Sequence, residues 1–141
     1  MKQNSAIHLV QTHGQGLTMI NFELASWILK TGIINGLLTI WCCHTSASLI
    51  VQENFDPAVK EDILNYFNTI VPEDPHRYRH NSEGLDDMPA HLKSVLTQTQ
   101  LSIPVIDRKM ALGEWQGIYL FEHRKQPHQR KLALHIIGEA S

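Results

Sequence analysis

Two carboxylates and an imidazole stand together in Asp86-Asp87-Met88-Pro89-Ala90-His91. Pro89 marks the opening of a helix, so one aspartate suits the capping position and the other the positive end of the helix dipole. His91 is not accounted for in that way, because an imidazole gains nothing from a helix N-terminus. A metal-binding histidine backed by a carboxylate needs such a pair at short range.

A second group is Glu122-His123-Arg124 at the end of a strand. Alternation puts Glu122 and Arg124 on one side and His123 on the other. The plain reading is a surface salt bridge between Glu122 and Arg124, with His123 half buried; the chemical reading makes His123 a metal ligand. A third group, His44-Thr45-Ser46-Ala47-Ser48, follows an apolar strand. Its hydroxyls either satisfy turn backbone or hold phosphate oxygens. It is no Walker motif, since the glycine spacing and the lysine are absent. Glu53 and Asn54 come one strand later and add a carboxylate and an amide, while Asp56 is explained as a helix cap.

Nine histidines are the least ordinary feature of the composition. His8, His13, His76 and His128 sit in polar or turn-like surroundings without a motif. His44, His80, His91 and His123 are the candidate metal ligands, with His91 and His123 expected to share one ion and His44 and His80 to compete for the rest. Short zinc signatures such as His-Glu-x-x-His are absent, so any site is assembled from distant segments. A serine triad of Ser46 or Ser48 with His91 and Asp87 lacks a nucleophile elbow.

These groups must be positioned by a mixture of elements. Residues 5–12 alternate as a strand, Asn21 caps a helix to about Lys30 with Gly32 ending it, and Asn35-Gly36 reads as a turn. Leu37 to Cys43 and Leu49 to Val51 are apolar strands. Asp56-Pro57 starts a helix carrying Ile63, Tyr66, Phe67 and Ile70, and Pro72 marks its exit. The polar loop 72–86 holds His80 and is of a length that is often functional. Segments 101–106 and 111–123 read as strands around the turn Asp107-Arg108-Lys109, and Leu132 to Ile137 makes a final strand. There is no βαβ rhythm, so the expected fold is α+β: one domain over residues 1–141, mostly antiparallel sheets and about three helices.

The 141 residues suit one hydrophobic core. No stretch approaches the roughly 20 apolar residues of a membrane span, and no signal peptide opens the chain, so the cytoplasm is expected. A net charge of -2 gives no electrostatic case for nucleic acid. Arg124, Lys125, Arg130 and Lys131 form either a solvated turn or an anion pocket. Adjacent Cys42 and Cys43 point to opposite faces of a strand and exclude a disulfide scaffold.

The motifs just quoted, joined by Leu112-Gly113-Glu114-Trp115-Gln116-Gly117-Ile118-Tyr119-Leu120, resemble in order the YjbQ-like family, from about residue 5 to Glu139. Glu114 stands where that family usually has threonine, and Arg108-Lys109 replaces a glycine-containing turn. The resemblance implies an α+β fold, commonly a homotrimer, with motif residues including Gln116 lining a cleft. It also implies a thiamine-phosphate synthase activity, which joins a pyrimidine-methyl pyrophosphate to a thiazole phosphate. For that reaction Arg124, Thr45 and Ser46 would hold phosphate, with Ser48, Asn54 and Gln116 beside the substrate. Glu53 and Asp87 would hold a cation or orient the site. Magnesium prefers oxygen, whereas histidines suit zinc, so the divalent metal stays open between them. The alternatives are a zinc-dependent hydrolase or phosphatase, and a non-enzymatic trimeric metal- or ligand-binding protein.

Overall fold

Period-two burial builds the larger sheet. In the strand Gln129–Glu139, Arg130, Leu132, Leu134, Ile136 and Gly138 are buried while Gln129, Lys131 and Ile137 are exposed. The computed structural model describes residues 1–141. In chain order its elements are β1 (Lys2–Gln11), β2 (Gly16–Met19), α1 (Asn21–Thr31), β3 (Asn35–Cys42), β4 (Ala47–Glu53) and α2 (Pro57–Ile70). Then follow α3 (Asp87–Leu96), β5 (Gln100–Ile106), β6 (Lys109–Met110), β7 (Gln116–Glu122) and β8 (Gln129–Glu139). One sheet runs β1-β8-β3-β5-β6 and the other β2-β7-β4, and every pairing is antiparallel. The fold is the α+β arrangement that the sequence leads one to expect.

The core lies between the sheets. Leu38, Ile40, Ile103, Val105, Leu132, Leu134 and Ile136 of the larger sheet meet Leu49, Ile118 and Leu120 of the smaller, with Leu24 and Ile28 of α1 joining them. The central strand β7 is buried on both faces. Its alternate residues Tyr119 and Phe121 meet α2, where Phe67 packs edge-on against Phe121 at 5.4 Å and Lys60 lies 5.0 Å over the Tyr119 ring. The layers are therefore large sheet, small sheet and helix. The outer face of the large sheet carries Ile7, Leu9, Leu37, Trp41, Ile106 and Ile137, all exposed.

Two local expectations change. Ile20, not Asn21, occupies the cap of α1, without a side-chain bond. Asn21 instead ties the helix to β7: its Oδ1 accepts from Ile118 N–H at 2.6 Å and its Nδ2 donates to Gln116 C=O at 3.2 Å. Asn35-Gly36 is no turn but the start of β3, where Gly36 faces Gly138 of β8. A Cβ on Gly36 would stand 2.3 Å from the Ile137 carbonyl oxygen, and one on Gly138 2.1 Å from that of Asn35. The turn between β5 and β6 is where expected, with Asp107 and Arg108 both left-handed at φ 52° and 67°, the geometry of a tight hairpin. Asp56 caps α2 as its sequence suggests, accepting from Ala58 N–H at 2.9 Å. No helix is long and apolar enough to cross a membrane.

Candidate metal centre

The centre is built where β7 ends and α3 begins. Arg124, just past β7, spends its guanidinium on this junction: Nε donates to Asp86 Oδ2 at 3.0 Å, Nη1 to Asp87 Oδ1 at 2.8 Å and Nη2 to the Glu83 carbonyl at 3.0 Å. Asp86 also accepts from Lys125 N–H at 2.8 Å and makes no capping bond to α3, so the expected cap is a clamp instead. Asp87 is 3% exposed. With Oδ1 held by Arg124, its Oδ2 faces outward to two imidazoles: His80 Nε2 at 2.7 Å and His91 Nε2 at 3.2 Å. His91 follows Asp87 by four residues on α3, one turn along the same face. Glu83 completes the group, with Oε2 3.2 Å from His80 Nε2.

Ligand atoms of His80, Glu83, Asp87 and His91 all lie within 4.8 Å of one another. Ligands bound tetrahedrally at about 2.0–2.2 Å sit about 3.3–3.6 Å apart, so side-chain shifts of an ångström or less would close this set around an ion. The tautomer of His91 fits as well. Its Nδ1 stands 2.9 Å from the Thr45 carbonyl, which can only accept, so Nδ1 carries the proton and Nε2 presents its lone pair to the cluster. Burial works against ionising Asp87. The His80 hydrogen bond and the charge of Arg124 outweigh that cost and hold its carboxyl below the usual range. The same Asp87 bond raises His80 above an ordinary histidine.

The other expected ligands lie elsewhere. His44 Nε2 accepts from Lys131 N–H at 2.7 Å. His123 is not half buried but 1% exposed, and its Nε2 meets Ser48 Oγ at 2.8 Å. His91 is thus joined by His80, not by His123. Ser48 is equally buried and also takes the Thr97 hydroxyl, so it faces no substrate. Glu53, Asn54 and Gln116 stand at the far end of the small sheet. Glu53 pairs with Gln116 there, whereas Ala47 pairs with Glu122 at the near end, about 20 Å away at roughly 3.3 Å per residue. The Glu122–Arg124 surface salt bridge does not form. Glu122 is buried and paired with Arg130, and Arg124 serves the aspartates. Neither arginine is free to make an anion pocket, and Lys125 pairs with Glu73 at 2.8 Å.

Thr45 and Ser46 do line a cleft of about 710 Å³, together with Trp41, Cys43, His44 and His91 among others. His91 thus borders both the cleft and the carboxylate–histidine group. Glu83 was absent from the sequence-based candidates. A signal existed, since residues 80, 83, 87 and 91 recur at intervals of three and four, although 80–86 are not helical.

Fold and site together define an α+β protein of two antiparallel sheets with a histidine–carboxylate cluster at the start of its last helix. The chain belongs to the family described as UPF0047 protein YjbQ-like, which it matches over residues 5–139. It is 46% identical over 138 residues to the UPF0047 protein sll1880 of Synechocystis, covering 98% of this chain and 94% of that one. Against YjbQ of Escherichia coli O157:H7 it is 39% identical over 126 residues, covering 89% and 91%. A solved Clostridium acetobutylicum structure, an uncharacterized conserved protein of the yjbq/upf0047 family, superposes with TM-score 0.84 at 29% identity, covering 94% of this chain and 99% of that one. A YbjQ-like protein of unknown function from Sulfolobus solfataricus gives 0.85 at 23% identity, covering 98% and 100%, and speaks for the fold alone.

These relatives correct one expectation. Thiamine-phosphate synthase activity finds no support among them: they are described only as UPF0047 or YjbQ-like proteins, one as of unknown function and one as uncharacterized. The expected phosphate contact Arg124 is moreover fully engaged by carboxylates and a carbonyl.

Proposed function

We propose that this protein binds a divalent transition-metal ion through His80, Asp87 and His91, with Glu83 as the fourth side chain. The observation that carries the reading is the convergence of two imidazoles and two carboxylates within 4.8 Å. Two nitrogen donors favour zinc or a neighbouring transition metal over magnesium, which prefers oxygen and retains its waters. Arg124 holds Asp87 from behind, and the Thr45 carbonyl holds His91, so both ligands are oriented by their own partners. Such an ion supplies Lewis acidity, and the cleft beside His91 is where a molecule reaching it would lie.

Elemental analysis and calorimetry of protein purified without chelator or affinity tag test this. The expected result is one zinc per chain, undisturbed by millimolar magnesium and absent from His91→Ala and Asp87→Asn variants that remain folded. Because His80 must release its proton to bind, zinc affinity should rise with pH through the raised range of His80. Parent protein that takes up no zinc at neutral pH would overturn the reading.

A further inference from the structure

We propose that the buried Glu122–Arg130 pair is the positioning element of this centre, setting the orientation of His91 through one neighbour and of Asp87 through another. The inference rests on the metal reading just given. Glu122 on β7 is 1% exposed and Arg130 on β8 is 5% exposed. Arg130 grips the carboxylate with both Nε, at 2.8 Å from Oε1, and Nη2 on Oε2.

A buried ion pair stabilises a fold little more than apolar residues of the same volume, and often less. What this pair does beyond itself is therefore the informative part. Arg130 Nη2 also donates to the Ser46 carbonyl at 3.2 Å and to Ser46 Oγ at 3.0 Å. That fixes the β3–β4 connection at the residue next to Thr45, whose carbonyl holds His91 Nδ1–H. On the other side, Glu122 Oε2 accepts from Arg124 N–H at 3.1 Å, fixing the residue whose guanidinium holds Asp86 and Asp87. The last partner, Thr12 Oγ1, donates to Oε1 at 2.7 Å and satisfies the remaining carboxylate lone pair. Two ligands four residues apart on α3, each held by a different neighbour, thus share one anchor. Remove it, and the Thr45 carbonyl is free to leave His91, whose proton then distributes between both ring nitrogens.

Glu122 and Arg130 touch no ion in this scheme, so the test must separate positioning from plain stability. The full chain carrying Glu122→Gln with Arg130→Met replaces the pair by neutral side chains of similar volume. Three quantities are measured: urea unfolding, zinc affinity by competition with a chelator, and the His91 tautomer in metal-free protein by nitrogen-15 NMR. The expected result is a folded protein whose zinc affinity falls at least tenfold and whose His91 passes from a single Nδ1–H form to a mixture. If the double variant does not fold, Arg130→Lys keeps the charge but lacks the fork needed to reach both Glu122 and Ser46, and the same loss is expected. Zinc affinity within twofold of the parent, with His91 unchanged, would overturn the proposal. Should the parent bind no zinc, the metal reading fails by itself. The tautomer of His91 still decides whether the pair positions it.

Discussion

His123 sits where a charge is hard to place. Burial first, then the positive charges of Lys93 and Arg130, push its pKa down to about 3. It is therefore neutral in the folded protein, while in the unfolded chain it takes a proton near 6.5. The stability linked to it is fully present above pH 6.5 and is lost as pH falls from there towards 3, at about 1.4 kcal/mol per unit. Urea unfolding between pH 7 and 4.5 should show that slope, above the window in which most carboxylates titrate. His123→Gln should flatten it, and an equal slope in both proteins would contradict this account. His80 has the opposite sign: its ion pair with Asp87 is complete at low pH and weakens as pH rises through its raised value. What the sequence revealed at this scale was misfit. His91 at a helix start had no structural excuse, and it proves to face Asp87. What it concealed was partnership. Glu122 looked paired with its near neighbour Arg124, but its partner Arg130 lies across the connection from β7 to β8, where adjacency carries no information.

Between the elements, β3 and β8 approach each other closely at Gly36 and Gly138. The Asn-Gly dipeptide reads as a hairpin turn by its chemistry, yet the glycine is there because a neighbouring backbone leaves no room for Cβ. Only the partner strand shows this, which is why local reading failed here and succeeded at Asp56-Pro57, where cap and helix are contiguous. Gly138→Ala must push the two central strands of the large sheet apart and should cost about 1–3 kcal/mol, the usual range for overpacking, measured as a lowered urea midpoint. A midpoint unchanged from the parent would mean that the sheet absorbs the methyl without strain. Alternation in β8, the apolar run of β7 and the α+β class were all legible, since each is a pattern within one segment. The order of the strands was not, because it depends on pairings such as β3 with β8, where Cys42 meets Leu132 and Asn35 meets Glu139 from distant parts of the chain.

For the whole molecule, the uncovered side of the large sheet is the feature left without a partner. Cross-strand rows place Trp41 beside Ala133 and Ile7, and Leu37 beside Ile137, with Pro104 next in line. Among them stand Ser5, Thr39, Ser102 and His135, and the fixed charges are Lys131 with Lys109 and Glu139 at the ends of the strands. A face so apolar suits a further copy of this chain better than a charged partner. The number of copies comes from the family resemblance, and on that basis we propose that three associate through it. Light scattering should return the mass of a trimer, and Trp41→Lys with Ile137→Lys should return a monomer. A monomeric parent at micromolar concentration would refute the assembly.

The two adjacent cysteines at the end of β3 give the experimenter a further handle. Cys42 is sealed in the core, with its thiol pushed up to about 11 by burial, while Cys43 is exposed on the wall of the cleft. A maleimide dye or a nitroxide will therefore attach at a single point, without any engineered mutation. From there it reports on whatever enters beside His91, and its rate of attachment falls if neighbouring copies close over that side.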